Sequence, residues 1–283
     1  MAITRRFIQC DVFTAQPTRG NALAVVLDAE GLDDEQMQAF AAWTNLAETT
    51  FVLAPEHESA DYKVRIFTPS REMPFAGHPT LGSCAAWLHA GGIARQDGVV
   101  RQECAVGIVE IDQRGSAPAF VAPPTRIEAL TPQRAQPLID RLELKPQRIV
   151  ASALLNNGPE WQVFELAGAD DVLAVDSSRV KWPDYKPIGL IGAHSDSAEC
   201  EYEVRMLAPS SGMSEDPITG SLNSALAHWM ISRGRFTRPL VVSQGTCIGR
   251  TGRVYVTPQA GGEPGRVLIG GQTHILIDGT VSL

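Results

Sequence analysis

Three short polar segments carry side chains able to move a proton or hold an anion. Glu48 lies in Asn45-Leu-Ala-Glu-Thr-Thr-Phe-Val, between a helical pattern and a β-prone run. A carboxylate held among apolar groups has its pKa raised toward neutrality, which suits a group that both takes and gives a proton. Gly77-His78-Pro79 and Gly220-Ser221-Leu222 each open an apolar stretch of helical period, and Asp216 stands four residues before Gly220. At a helix start the backbone N–H groups lack intrahelical acceptors and the dipole is positive, so Gly77, Gly220 and Ser221 are candidates to bind a carboxylate. The same dipole keeps a histidine such as His78 neutral, able to donate a hydrogen bond or relay a proton.

Each candidate also has a structural explanation. Asn45 to Glu48 has capping-box spacing, although no helix remains for such a box to begin. Ser221 reads as an N-cap, and Pro79 fits a first helical turn. Asp216, before Pro217, has an Asx-turn as its default. Spacing alone favours the structural explanation for Glu48. For the two helix starts, capping and anion binding stand level.

What must position these residues is written twice in the chain. Tyr62-Lys-Val-Arg-Ile-Phe-Thr-Pro-Ser-Arg-Glu-Met73 recurs 140 residues later as Tyr202-Glu-Val-Arg-Met-Leu-Ala-Pro-Ser-Ser-Gly-Met213, with six identities in twelve positions. After a three-residue slip Glu72-Met-Pro-Phe-Ala-Gly-His78 lies against Glu215-Asp-Pro-Ile-Thr-Gly-Ser221. This is an internal duplication and predicts two pseudo-symmetric lobes. Five prolines between Pro118 and Pro137 place the boundary near residue 124, giving lobes 1–124 and 125–283, with the last strand free to cross into the first lobe.

Strands are expected at 6–13, 22–27, 51–54, 62–68, 99–100, 107–112 and 118–122, and a helix at 32–44. In the second half they are expected at 148–154, 162–166, 188–193, 200–207, 240–242, 253–257 and 266–269, with a helix at 132–142. Two more helices, 79–90 and 222–232, are apolar nearly all round and so are expected to be buried. Short strands with few helices predict an α+β fold of antiparallel or mixed sheets, each lobe a barrel-like sheet wrapped around its central helix.

The net charge of −8, with no run of Lys or Arg, speaks against nucleic acid and anionic lipid as partners. No stretch approaches the roughly 18 apolar residues of a membrane span, and the amino terminus lacks a signal-like apolar run, so a cytoplasmic protein is expected. Five scattered cysteines predict reduced core thiols. No metal-ligand spacing, nucleotide-phosphate loop, dinucleotide fingerprint or serine elbow occurs, so neither a metal nor a cofactor is implied.

Together, Asn45-Leu-Ala-Glu48-Thr-Thr-Phe-Val, Phe67-Thr-Pro-Ser-Arg-Glu-Met-Pro-Phe-Ala-Gly77-His78-Pro-Thr-Leu-Gly and Glu215-Asp216-Pro-Ile-Thr-Gly220-Ser221 resemble the phenazine-biosynthesis PhzF-like family of isomerases, as do Asp11-Val-Phe-Thr and Gly20-Asn21. The resemblance implies a fold similar to diaminopimelate epimerase, with the active site in a cleft between the lobes. It implies that Glu48 shuttles a proton between substrate carbons, and that His78, Asp216 and Ser221 line the same cleft. Where the epimerase has its two thiols, this chain has Ala76 and Thr219, which excludes a two-thiol racemase. Ala47 and Leu222-Asn223 depart from the family's usual residues and bear on substrate identity.

The expectation is a cofactor-independent isomerase acting on a small carboxylate substrate, with a homodimer an open option. The alternative is a non-catalytic member of the same fold that binds a small anion or a protein.

Overall fold

The succession strand–strand–helix–strand–strand–short strand–buried helix runs from Thr4 to His89 and again from Ile149 to Ser232, and both buried helices start at a glycine. The computed structural model describes residues 3–195, 199–210, 213–259 and 266–283. The first half forms β1 (Thr4–Val12), β2 (Asn21–Val26), α1 (Asp34–Thr44), β3 (Glu48–Leu53), β4 (Tyr62–Phe67), β5 (Glu72–Met73), α2 (Gly77–His89), β6 (Val99–Cys104), β7 (Gly107–Asp112) and β8 (Ala119–Val121). The second forms β9 (Arg126–Glu128), α3 (Pro132–Arg141), β10 (Ile149–Asn156), β11 (Glu160–Leu166), α4 (Ala169–Leu173), β12 (Ile188–Ala193), β13 (Tyr202–Leu207), β14 (Glu215–Asp216), α5 (Gly220–Ser232), β15 (Leu240–Gln244), β16 (Gly252–Pro258), β17 (Val267–Gly270) and β18 (Thr273–Ser282).

The chain divides into two compact units, Met1–Val121 with Gly270–Leu283, and Ala122–Ile269. In the first, the strand order is β18-β1-β2-β3-β4-β6-β7-β8. The β2–β3 and β4–β6 pairs are parallel and the others antiparallel. α1 makes the β2-to-β3 crossover, as parallel neighbours require. Its N-cap Asp33 accepts the Gln36 backbone N–H while the Gln36 side chain accepts that of Asp33, a complete capping box. Asn45 closes α1 in the left-handed region (φ 54°), and β3 starts at Glu48. No Asn45–Glu48 box is therefore present.

α2 packs against β1, β2, β3, β6, β8 and β18 and buries Leu81, Cys84, Ala86 and its whole first turn. An apolar helix packed among strands removes most of its surface from water, at roughly 25 cal/mol per Å² of apolar area, and only the last turn of α2, with Leu88 and His89, is exposed. Its polar groups are matched inside. Ser83 donates to Thr50 at 2.8 Å, Thr80 to the Ala76 carbonyl at 2.9 Å, and Gln102 on β6 to Thr80 at 3.1 Å.

In the second unit the order is β9-β10-β11-β12-β13-β15-β16, again with two parallel pairs, β11–β12 and β13–β15. α5 buries Leu222, Ala225, Leu226, Trp229 and Met230. A second apolar cluster, with Leu138, Leu154, Phe164, Val172, Ile188 and Leu207, fills the space under α3 and α4.

Both two-residue strands that precede the buried helices pair in the same way. Ile66 and Phe67 face Met73 and Glu72, and Met206 and Leu207 face Asp216 and Glu215. Arg65 forks onto Glu72 with two bonds of 2.7 Å, and Arg205 onto Glu215 at 3.1 and 2.6 Å. The first pair is partly exposed. The second is sealed, with side-chain exposures of 2% and 0%, and Arg205 also donates to the Val172 and Val175 carbonyls. A buried arginine needs that many acceptors to offset its desolvation.

Four of the five cysteines are buried, but Cys247 is exposed, which corrects the expectation of core thiols throughout. Among the described residues no helix is long and apolar enough to cross a membrane.

Candidate functional site

In the first unit Glu48, Gly77 and His78 come together. Glu48 is the first residue of β3, opposite Leu23 of β2, and keeps 18% of its side chain exposed. His78 is the second residue of α2, at 4% exposure. Its Nε2 lies 3.4 Å from Glu48 Oε2, long for a hydrogen bond but within reach once a ligand closes the geometry. Burial drives the His78 imidazolium pKa down to about 3, the backbone at Ala22 opposing this in part. The ring is therefore neutral near pH 7.

Asn21, 2% exposed, brings its side-chain amide nitrogen to 3.4 Å from His78 Nδ1. It is held there from β1, where buried Asp11 accepts the Gly20 N–H at 2.9 Å. Sequence reading placed Gly20-Asn21 among the family-like motifs without a role. The partner of Asn21 lies 57 residues away, and no spacing rule reports it.

α2 begins at Gly77, two residues before the expected start, with Ala76 as an extended N-cap that offers no side-chain bond. The Gly77 and His78 N–H groups precede the first acceptor carbonyl, and Pro79 has none. Thr80 makes the first helical bond, to Ala76 at 3.2 Å. This end of the helix is thus a pair of N–H donors on a positive dipole, beside the Glu48–His78 pair.

In the second unit Asp216, Gly220 and Ser221 share one turn. α5 starts at Gly220 with Thr219 as N-cap, so Ser221 is the second helical residue and not the cap that sequence suggested. The expected cap fails because the chain turns into the helix two residues earlier, at Thr219, whose backbone N–H is accepted by Gln244 at 3.1 Å. Asp216 ends β14 at 9% exposure, and its Oδ2 accepts the Thr219 hydroxyl. Ser221 is half-buried, and its carbonyl accepts from Asn157 at 2.8 Å. Gln244 and Asn223 had no place among the sequence candidates.

No thiol stands at either helix start. Cys10 and Cys84 lie in the core, where burial pushes each up to about 12. Among the described residues no group of three or more His, Cys, Asp or Glu side chains is arranged to hold a metal ion.

Comparison with known proteins agrees with the fold. The model of the PhzC-PhzF family, phenazine biosynthesis-like proteins, matches residues 10–279. Antisense-enhancing sequence 1 of Schizosaccharomyces pombe is 33% identical over 96% of this chain and 97% of its own. Trans-2,3-dihydro-3-hydroxyanthranilate isomerase of Pseudomonas aeruginosa is 30% identical over 91% of this chain and 92% of its own. The crystal structure of a Bacillus anthracis phenazine biosynthesis protein of the PhzF family superposes with a TM-score of 0.83, covering 99% of this chain and 100% of that one, at 23% identity. The chain belongs to the phenazine biosynthesis-like PhzF family of isomerases, with the mixed α+β fold of that family.

Proposed function

We propose that this chain is a cofactor-independent isomerase that moves a proton within a small carboxylate-bearing substrate, with Glu48 as general acid and base. The carrying observation is the Glu48 carboxylate set 3.4 Å from a buried neutral imidazole, beside the open N-terminal end of a buried helix. Glu48 takes a proton from a carbon next to an unsaturated system and returns it to another carbon. Neutral His78 gives or accepts the hydrogen bond that tracks this change of charge. Negative charge that develops on the substrate is stabilised by fixed donors at Gly77 and His78, which need no reorganisation during the reaction. A positioned carboxylate can carry this step by itself, so no cofactor is invoked.

In the same reading Asp216 assists the reaction, and Gly220 and Ser221 hold polar groups of the substrate. The recurrence of strand pairing and of the Arg–Glu fork in the two units supports descent from one duplicated module, with residues 1–124 and 125–283 as its copies. We place the enzyme in the cytoplasm.

The substrate named for the Pseudomonas aeruginosa relative, trans-2,3-dihydro-3-hydroxyanthranilate, is the first compound to offer, followed by other small unsaturated carboxylates. Turnover followed by NMR in D₂O should show one substrate proton relocating or exchanging. Glu48→Gln should slow this by roughly 10²- to 10⁴-fold, the usual contribution of a general acid–base. Full turnover by Glu48→Gln would end the proposal.

A further inference from the structure

Gln244, at the end of β15, is fully buried and makes four hydrogen bonds that converge on the start of α5. Its Oε1 accepts the Thr219 backbone N–H at 3.1 Å and the Asn223 side-chain amide at 2.8 Å. Its Nε2 donates to the Asp216 carbonyl at 3.3 Å and to the Thr219 hydroxyl oxygen at 3.0 Å. The amide orientation is not arbitrary. A backbone N–H only donates and a backbone carbonyl only accepts, so the atom facing Thr219 N must be oxygen and the atom facing Asp216 O must be nitrogen.

That orientation propagates. With Nε2 donating into the Thr219 oxygen, the Thr219 hydroxyl proton is directed onward, and the oxygen it meets is Asp216 Oδ2. Hydrogen bonds aligned donor to acceptor in this way strengthen one another in a low-dielectric interior. Asn223 reinforces the arrangement by donating to the Thr219 carbonyl at 3.0 Å as well as to Gln244.

We propose that Gln244 is a positioning residue: acting through Thr219, it aims the Asp216 carboxylate and commits it to the role of hydrogen-bond acceptor. This also gives Thr219 a task of its own at the place where a thiol would stand in a two-thiol racemase. Its hydroxyl orients a carboxylate and does not attack or abstract. The inference rests on the reading that Asp216 serves the reaction, but its central claim concerns the state of Asp216 in the free protein.

The test follows the Asp216 side-chain carboxyl carbon by NMR through a pH titration of the full chain labelled with ¹³C-aspartate, its resonance assigned by its loss in Asp216→Asn. Thr219→Val removes the hydroxyl at constant shape, and Gln244→Met removes all four side-chain bonds. Each should raise the Asp216 titration midpoint by about one unit or more, a tenfold change in proton affinity, because Thr219→Val deletes the charge-assisted bond to the carboxylate and Gln244→Met removes the donor that directs the Thr219 hydroxyl toward it. Thr219→Ser should restore the original midpoint, which a merely structural role would not require. Should Gln244→Met fail to fold, Thr219→Val decides the matter. A folded Thr219→Val protein with an unmoved Asp216 midpoint overturns the inference. The underlying reading fails separately: if Asp216→Asn turns over substrate as well as the parent protein, Asp216 is not part of the reaction, whatever its titration shows.

Discussion

His78 couples the candidate chemistry to the protein's own stability. Its imidazole is held neutral by burial, with a folded pKa of about 3 against an ordinary value of 6.5. Between these values the unfolded chain binds a proton that the folded chain refuses, so stability rises with pH across the interval. The contribution is complete above about pH 6.5 and is lost as pH falls toward 3, at up to about 1.4 kcal/mol per pH unit. Carboxylates held low, such as Asp278 at about 2 beside Arg6 and His89, lose their share only at lower pH. Urea unfolding between pH 7 and 4.5 should therefore show a steeper loss for the parent protein than for His78→Gln, and equal losses would contradict the burial argument. His78 and Asp216 could be singled out from sequence because each sits in a short motif beside a helix start, whereas Glu48, which opens a strand, is singled out only through the family resemblance of its motif. Asn21 and Gln244 could not, since what makes them informative is a partner 57 residues away in one case and 25 in the other.

The buried helices show how the same demand is met by different residues. Gly82 lies in the middle of α2, where glycine costs about 1 kcal/mol relative to alanine. A Cβ there would stand 2.5 Å from Leu23 Cδ2 and 3.0 Å from both Cys10 Sγ and Val12 Cγ2, so the glycine lets the helix approach β1 and β2. In the second unit the glycine is on the strand: a Cβ on Gly189 of β12 would meet Leu222 of α5 at 2.8 Å. Gly82→Ala should lower stability by about 1–3 kcal/mol despite its better helix propensity, because the core around Leu23 is closed. A thermal midpoint equal to or above the parent's would show that the core yields. The apolar periods from Leu81 to Leu88 and from Leu222 to Trp229 made both helices legible, and the glycine-led segments marked where they open, but each helix begins two residues before its expected first residue, at Gly77 and Gly220, because those residues carry no apolar period. β5 and β14, two residues each, are too short for any periodic signal. β18 went unread because Asp278-Gly279 interrupts its alternation, and Leu276, Ile277 and Asp278 are all exposed.

The two units differ in how the chain completes them. Residues 122–269 form a continuous segment, whereas the first unit needs both ends of the molecule. β18 pairs with the whole of β1, from Thr4 opposite Ser282 to Val12 opposite Thr273, with a shift in register between Gln9 and Cys10. Beyond β18 the ends are still bonded, Ile3 and Leu283 exchanging both backbone hydrogen bonds. β1 is also the strand that carries Asp11, and through it the Gly20-Asn21 turn beside His78. Such a contact joins strands far apart in the sequence, so the first unit cannot finish folding until β18 is present. A chain ending at Ile269 leaves one edge of β1 without its backbone partners and uncovers the face of α2 that β18 packs against. Hydrogen exchange on this truncated chain should show the amides of β1, β2 and α2 losing most of their protection while those of β10 to β13 keep theirs. Activity should disappear with that loss, because Glu48 and His78 are set by β3 and α2. Full protection of α2 in the truncated chain would mean that the carboxyl-terminal strand is an accessory of the first unit and not a part of its core.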